Sequence, residues 1–103
     1  MNLNDYQREA MLTAIFPEDS KIVYPALGLG NEAGEYQGKV KKLIRGDRVE
    51  THELKAELGD VLWYLAACAQ GLDTTLGEIA ASNLAKLRGR QERGVLQGNG
   101  DNR

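Results

Sequence analysis

The chain has 103 residues, with 13 basic and 15 acidic side chains and a formal net charge of −2. This length suits one domain with one hydrophobic core, so we treat residues 1–103 as a single domain with a Gly-rich tail at about 91–103. The mixed charge disfavours nucleic acid as a partner, because surfaces that bind nucleic acid are usually strongly basic. No uncharged apolar run approaches the roughly 20 residues that span a bilayer, so we expect no membrane partner either.

The single cysteine and the polar amino terminus both bear on location. Cys68 lies within an apolar run and has no second cysteine with which to form an internal disulfide. A reducing compartment suits such a chain. The opening residues, MNLNDYQREA, are polar and charged, unlike a secretory signal peptide. We therefore expect a cytoplasmic protein.

The first half of the chain is predicted to contain a short helix and a long one. Apolar residues at helical spacing predict a first helix over residues 5–15, which Pro17 should end. Residues 16–24 are predicted to form a loop. A proline suits the first turn of a helix because the N–H that it lacks would be unpaired there, so a second helix is predicted over Pro25–Ile44. Gly46 follows its last turn, as is common after a helix.

The second half is predicted to contain two more helices and a tail. Thr51 is predicted to cap the third helix, which should continue to Gln70. The fourth should run from Thr75 to about Arg90, because Thr75 and Glu78 have the spacing of a capping box. Residues 91–103, QERGVLQGNGDNR, are Gly-rich and lack helical periodicity. Short connections favour antiparallel neighbours, which predicts an all-α four-helix bundle.

Each of the two long helices carries a pair of acids three residues apart, Glu32 with Glu35 and Glu57 with Asp60. Residues at this spacing share one helix face, and both pairs border the apolar stripe that should face the core. If the two helices pack antiparallel, the four acids converge on one groove. Crowded carboxylates repel one another unless a proton or a cation neutralises them, so at least one pKa should be raised. Hard oxygen ligands without His or Cys suit Mg²⁺ or Mn²⁺ rather than zinc.

Three glycines, Gly30, Gly34 and Gly38, lie in a row on another face of the second helix. Each interior glycine costs about 1 kcal/mol relative to alanine, so the row needs a physical reason. A helix face without side chains lets another backbone approach closely. Together with apolar positions that a small bundle leaves with few partners, the row predicts a homodimer or a homotetramer.

Two aromatic residues follow the second acid pair. Tyr64 lies one helical turn past Asp60 and can contact a base or a sugar, or serve only the structure. Trp63 lies about 100° away from the line of acids around the helix. We therefore expect Trp63 in the core or in a subunit contact rather than against a base.

These motifs resemble those of a known enzyme family. L-x-x-E-x-G-E at Leu29–Glu35 and E-L-G-D at Glu57–Asp60 are similar to the E-x-x-E and E-x-x-D motifs of the all-α nucleoside triphosphate pyrophosphohydrolases, above all the MazG-like branch. The run A-S-N-L-A-K-L at Ala81–Leu87 resembles the last helix of that branch. The ending at Gly98–Arg103 is similar to the tails of its small members. The resemblance covers residues 20–103.

The resemblance implies Mg²⁺-dependent hydrolysis of a (deoxy)nucleoside triphosphate to the monophosphate and pyrophosphate. The metal ligands that it implies are Glu32, Glu35, Glu57 and Asp60. Glu32 or Glu35 would also be the catalytic base. Asn31 departs from the pattern, since many relatives carry another Glu there. Members of the dUTPase/dCTPase type and the phosphoribosyl-ATP type share the fold and remain alternatives, and similar members are dimers or tetramers.

Candidates for binding the nucleotide lie on the second and fourth helices. Asn83 and Lys86 match the N-x-x-K of the family's last helix, where both side chains face the site. Lys39 and Lys42 follow Glu35 by one and two turns and are candidates for binding the phosphates. Ordinary pairing with Glu35 explains these two lysines equally well.

The tail is a further candidate for the same site. Gly98 and Gly100 permit tight turns whose N–H groups can face an anion, and Arg103 offers a planar charged group for phosphate. Our hypothesis is that the tail closes over the triphosphate, within one chain or across a dimer. Arg103 and Asn102 would contact the phosphates while Asp101 holds the turn. A disordered terminus is the alternative.

Two other classes of protein compete with this interpretation. A di-iron carboxylate bundle uses Glu-x-x-His on two helices, whereas the only histidine here, His52, lies outside both acid pairs. A non-catalytic helical interaction module would carry the same acids only as a solvated surface. Binding of Mg²⁺ together with a triphosphate separates an enzyme from such a module.

Overall fold

A computed structural model describes residues 1–103 and contains α-helices and one 3₁₀ turn, with no strand. The four α-helices are α1 Leu3–Met11, α2 Val23–Ile44, α3 Thr51–Gly71 and α4 Leu76–Glu92. The 3₁₀ turn, Glu18–Ser20, lies between α1 and α2. The predicted all-α fold with four helices is therefore confirmed. None of these helices combines the length and the apolar character needed to cross a membrane.

The two long helices, α2 and α3, make the most extensive contact between any two elements. Their closest residues show that they run antiparallel. Gly28 of α2 lies under the ring of Tyr64, and Lys39, three turns further along α2, meets Glu57. Residues 45–50 form the short connection that turns the chain back. This pairing brings the two acid motifs to the same level of the structure.

Helix α1 is shifted towards the amino terminus relative to the predicted residues 5–15. It begins at Leu3 because Asn2 and Asp5 cap it reciprocally. The Asn2 side chain accepts a hydrogen bond from the Asp5 N–H at 2.8 Å, and the Asp5 carboxylate accepts one from the Asn2 N–H at 3.2 Å. The helix ends at Met11, well before Pro17, so the apolar pattern overestimated its carboxyl end.

The starts of α2 and α3 also differ in detail from the prediction. Helix α2 begins at Val23 rather than Pro25, which is tolerated because the first four N–H groups of a helix have no partner within it. Thr51 was predicted as the cap of α3 but is its first helical residue, and the cap is Glu50, whose N–H donates to the Glu53 carboxylate at 2.8 Å. The capping chemistry therefore lies one residue earlier than expected.

Helix α4 begins where the sequence predicts. The Thr75 hydroxyl oxygen accepts a hydrogen bond from the backbone N–H of Glu78 at 3.1 Å. The Glu78 carboxylate accepts instead from the hydroxyl of Thr74, at 2.5 Å. One half of the predicted capping box therefore forms, and a neighbouring threonine replaces the other half.

A buried glutamine on α1, Gln7, connects three parts of the fold. Its side-chain amide donates to the side-chain oxygen of Gln70 at 3.0 Å and to the Thr74 carbonyl at 3.1 Å. Its side-chain oxygen accepts from the backbone N–H of Leu76 at 2.7 Å. A buried amide is stabilising only when its hydrogen bonds are made, and here both ends of the group are paired. Gln7 thereby fixes α1 against the end of α3 and the start of α4.

The core is small and consists mainly of alanine. Its members and the apolar side chains packed on them are Ala66, Ala69, Leu76, Tyr6, Met11 and Leu62. Small residues on α3 let α1 and α4 approach this end of the helix closely. The core therefore lies at the carboxyl end of α3, away from Glu57 near its start.

Much apolar surface remains uncovered in the single chain, since only 9 of 103 residues are buried. Large exposed apolar side chains on α3, just after it and on α4 include Leu58, Leu65, Leu72, Ile79, Leu84 and Leu87. The row Gly30, Gly34 and Gly38 faces open space, since a Cβ at any of the three would meet no atom within 4 Å. Both the apolar side chains and the glycine row are therefore open to solvent in the single chain.

The tail folds back onto the end of α4. The Asp101 carboxylate accepts from Lys86 Nζ at 3.0 Å and from the Arg90 guanidinium at 3.1 Å. Arg103 donates to the carbonyl oxygens of Val95 and Leu96, each at 2.9 Å. In this conformation Asp101 holds the turn, and the Arg103 guanidinium is bound to the backbone of its own tail.

Candidate metal and nucleotide site

Three carboxylates from two helices meet between α2 and α3. Glu32 comes from α2, while Glu57 and Asp60 come from one face of α3. One carboxylate oxygen from each can be chosen so that all three atoms lie within 4.8 Å of one another. We call these three residues the acid cluster. Such a spacing lets a single cation contact all three side chains, and the oxygen ligands are of the kind that Mg²⁺ and Mn²⁺ prefer.

Glu35, the remaining acid of the two motifs, lies outside the acid cluster. Its side chain is exposed one turn further along α2. It still acts on the cluster through its charge, which contributes to the raised pKa of Glu32. The structure thus divides the Glu32/Glu35 pair into one acid within the cluster and one beside it.

The crowding of acids is visible in the protonation of Glu32. Partial burial, followed by the negative charges of Asp60, Glu57 and Glu35, raises the pKa of Glu32. This is the raised carboxyl pKa that the acid motifs predicted. The raised pKa means that the ionised Glu32 carboxylate destabilises the fold unless a cation offsets its charge.

Lys39 supplies part of that compensation. Its ammonium nitrogen lies 3.0 Å from Oε1 of Glu57, and the two side chains are only 27% and 14% exposed. The hydrogen bond to Glu57, with added attraction from Glu53 and Glu35, raises the pKa of Lys39. The sequence suggested that Lys39 pairs with Glu35 or contacts phosphate. In the structure Lys39 pairs instead with Glu57, an acid of the cluster on the facing helix.

Lys42 is in a different position from Lys39. Its side chain is exposed, and it forms no ion pair within 4.0 Å. Its positive charge reaches Glu53, where it contributes a little to the lowered pKa of that acid. Lys42 therefore remains available to a ligand approaching along α2.

An aromatic wall adjoins the acid cluster. An open cleft of about 360 Å³ is lined by Glu32, Asp60, Trp63 and Tyr64. The rings of Trp63 and Tyr64 meet edge to face with centroids 4.9 Å apart. The indole N–H of Trp63 donates to the Thr13 hydroxyl at 2.9 Å, which fixes the ring from the α1 side.

Trp63 lines the cleft beside the acid cluster, whereas the sequence predicted a core or subunit contact for it. A place beside Asp60 also agrees with the sequence, because Trp63 follows Asp60 by three residues and such residues are neighbours on a helix surface. The Phe16 ring adds to the wall, edge-on to Trp63 at 6.3 Å and stacked on Tyr24 at 5.0 Å. The segment before α2 thus contacts the Trp63 ring that lines the cleft, which the sequence did not indicate.

Gly28 determines how closely Tyr64 can lie against α2. A Cβ on Gly28 would come within 2.1 to 2.5 Å of three ring atoms of Tyr64, a distance that real contacts do not allow. Any larger residue at this position would push the ring away. Partial burial and the neighbouring Tyr24 raise the pKa of the Tyr64 phenol. Gly28, which the sequence analysis did not single out, therefore positions one wall of the cleft.

The predicted nucleotide-binding residues of α4 and the tail lie apart from this cleft. Helix α4 packs on α1 and α3 rather than on α2. Asn83 and Lys86 line a separate groove of about 420 Å³ with Thr74, Glu78, Ile79 and Ser82. Lys86 is paired with Asp101, while Asn102 and Arg103 belong to the tail folded on α4. Within one chain, none of these residues lines the cleft of the acid cluster.

Replacing Glu32 by glutamine tests the charge crowding. Because the folded-state pKa of Glu32 is raised, its ionisation destabilises the folded protein at pH values above that pKa, and the penalty disappears as the pH falls through it. In metal-free buffer at pH 7, Glu32→Gln should therefore raise the melting temperature by about 2–4 °C. The gain should vanish near pH 4, where the wild-type carboxyl is protonated.

Melting curves from pH 4 to pH 8 in the presence of a chelator provide the measurement. Glu9→Gln is the matched control, because Glu9 is an exposed helical glutamate outside every ion pair. It should produce no comparable pH-dependent gain. A Glu32→Gln protein less stable than wild type at pH 7 would contradict the crowding argument.

Comparison with known proteins places the chain in a family. A family model described as the MazG nucleotide pyrophosphohydrolase domain matches residues 26–95. The chain is also similar to the Gene 37 protein of Mycobacterium phage L5, with 46% identity and coverage of 100% of both chains. No solved structure was found to match it. Since the matched segment is most of the chain and contains both acid motifs, this chain belongs to the MazG nucleotide pyrophosphohydrolase family.

Proposed function

We propose that this protein hydrolyses a (deoxy)nucleoside triphosphate to the monophosphate and pyrophosphate with the help of Mg²⁺, which Mn²⁺ can replace. The convergence of Glu32, Glu57 and Asp60, with ligand atoms within 4.8 Å, is the observation that carries this proposal. The family is one of nucleotide pyrophosphohydrolases, which supports the reaction class. The oxygen ligands and the raised pKa of Glu32 both suit a divalent cation.

The reaction requires little covalent help from the protein. The acid cluster would hold a divalent cation, which would supply positive charge to offset that of the phosphates. Water supplies the oxygen that joins the α-phosphorus, and pyrophosphate leaves with the bridging oxygen. Glu35 is suited to accept the proton from this water, because it is exposed beside Glu32 and outside the acid cluster. Glu32, Glu57 and Asp60 then serve as the ligands.

The aromatic wall suits the nucleoside part of the substrate. A ring that lies against Trp63 or Tyr64 places the phosphates near Glu32 and Asp60, because all four residues line one cleft. Stacking of a base on an aromatic side chain typically contributes about 1–3 kcal/mol and tolerates different bases. We therefore propose Trp63 and Tyr64 as the surface that holds the base, with the acid cluster at the phosphate end.

We further propose that the active form is a homodimer or homotetramer. The supporting observations are the exposed leucines of α3 and α4 and the open glycine row of α2. Assembly also offers a route by which Asn83, Lys86 and the tail residues Asp101, Asn102 and Arg103 of one chain can approach the acid cluster of another. Within its own chain, α4 does not pack against α2.

Amide substitutions in the acid cluster test the reaction. Glu57→Gln and Asp60→Asn should each lower kcat/KM at least about 100-fold, since even the groups that only support metal ligands contribute about 10–100-fold. Helix content by circular dichroism should not change. With a nucleotide panel and Mg²⁺, the first inorganic product of the wild-type protein should be pyrophosphate. Near-full activity of Glu57→Gln, or orthophosphate as the first product, would contradict the proposal; Glu9→Gln is the control.

Substitution of the single tryptophan tests the base-binding surface. Trp63→Leu should raise the KM for nucleotide by about tenfold or more through the loss of stacking, whereas Trp63→Phe should retain most of the affinity. Inhibition by inorganic tripolyphosphate should be equal in both variants, because that ligand has no base. In the wild-type protein, nucleotide binding should also change the fluorescence of this one tryptophan. An unchanged KM in Trp63→Leu would locate the base elsewhere.

Light scattering tests the assembly. At micromolar concentration the mass should be two or four times the 11.3 kDa of one chain. Leu84→Glu should shift the protein towards the monomer, because it places a charge on an exposed apolar side chain of α4. Arg88→Glu, an exposed polar position of the same helix, is the control. A wild-type protein that is a stable monomer would overturn this part of the proposal.

A further inference from the structure

Lys39 is the one cation in direct contact with the acid cluster. Its ammonium nitrogen lies 3.0 Å from Oε1 of Glu57, and both side chains are largely covered. The two other lysines near the end of α2, Lys41 and Lys42, are exposed and have no acidic partner within 4.0 Å. Most exposed ion pairs contribute little to stability. The Lys39–Glu57 pair differs from them because it is partly covered and joins two helices.

This contact conflicts with the proposed cation site. A divalent ion that contacts Glu32, Glu57 and Asp60 brings two positive charges to a carboxylate that already holds the Lys39 ammonium. The divalent ion and the Lys39 ammonium would be in contact with the same carboxylate, and two positive charges that close repel strongly in a partly covered site. The ammonium is also the easier of the two groups to move, because it ends a flexible four-carbon side chain.

We propose that Lys39 is the resident counter-ion of the acid cluster, displaced from Glu57 when a divalent cation binds. In the metal-free protein it offsets the repulsion among the acids and links α2 to α3. In the loaded protein its released ammonium lies beside the cluster and contacts the phosphates of the substrate. This last step rests on the proposed function, while the displacement itself does not require a nucleotide.

Metal binding without nucleotide tests the displacement. Mn²⁺ affinity is measured by electron paramagnetic resonance for the wild type, Lys39→Met, Lys39→Arg and the control Lys42→Met. Lys39→Met removes the competing charge and should bind Mn²⁺ about three- to tenfold more tightly, which corresponds to about 0.7–1.4 kcal/mol. Lys39→Arg keeps the charge and should bind no more tightly than the wild type. Lys42→Met should resemble the wild type, because exposed charges further away are screened by salt.

Thermal stability provides a second measurement, because the substitution that strengthens metal binding should weaken the metal-free fold. In metal-free buffer, Lys39→Met should melt at a lower temperature than the wild type, because the acid cluster loses its counter-ion. Saturating Mn²⁺ should raise the melting temperature of Lys39→Met by more than that of the wild type. If Lys39 has only a structural role, Lys39→Met should lower the melting temperature equally in metal-free buffer and in saturating Mn²⁺, and the metal affinity should not change. That result would overturn the inference.

The nucleotide assay tests the phosphate contact of Lys39 separately from its role as a counter-ion. With saturating metal, Lys39→Met should have a higher KM for nucleotide because the phosphates lose a cation. An unchanged KM together with tighter Mn²⁺ binding would overturn the phosphate contact and support the counter-ion. If the wild type binds Mn²⁺ but Lys39→Met binds it no more tightly, the inference fails while the proposed function stands. If the wild type does not bind Mn²⁺ at all, the proposed function fails as well.

Discussion

The close antiparallel approach of α2 to α3 is the constraint on which the site depends. Neither helix carries more than two of the motif acids, so the acid cluster exists only where the helices face each other. Gly28 allows this approach at one end by leaving room for the Tyr64 ring, and the Lys39–Glu57 ion pair joins the helices further along. A small change in this register would separate Glu32 from Asp60 and move the aromatic wall away from the acids.

The carboxylates in the same region repel one another, and a bound cation would reduce that repulsion. The charges of Asp60, Glu57 and Glu35 add to partial burial in raising the pKa of Glu32, so ionised Glu32 destabilises the free protein. Lys39 offsets part of this cost with one positive charge. Under the proposed function a divalent cation would supply two, and the phosphates of a nucleotide would then meet a site whose net charge is less negative. Stability and ligand binding would in that case be coupled through one set of carboxylates.

The remainder of the chain supports this pair of helices at one end. Gln7 fixes α1 to the end of α3 and the start of α4, and the Thr13 hydroxyl holds the Trp63 ring at the cleft. Helix α4 extends from that junction with its leucines exposed and with the tail folded along it. The small alanine core explains why this arrangement leaves so much apolar surface exposed in the single chain.

The helices and the acid pairs could be predicted from the sequence, because a helical period and a spacing of three residues are local properties of the backbone. The sequence could not determine which acids meet. Glu32 joins Glu57 and Asp60 while Glu35 lies outside, because the rotation of α2 against α3 is set by contacts such as Gly28 with Tyr64. The same register gives Lys39 a partner on the opposite helix and places Trp63 beside the acids. These side-chain positions depend on contacts between residues that are distant in the chain, so they could be found only from the tertiary structure.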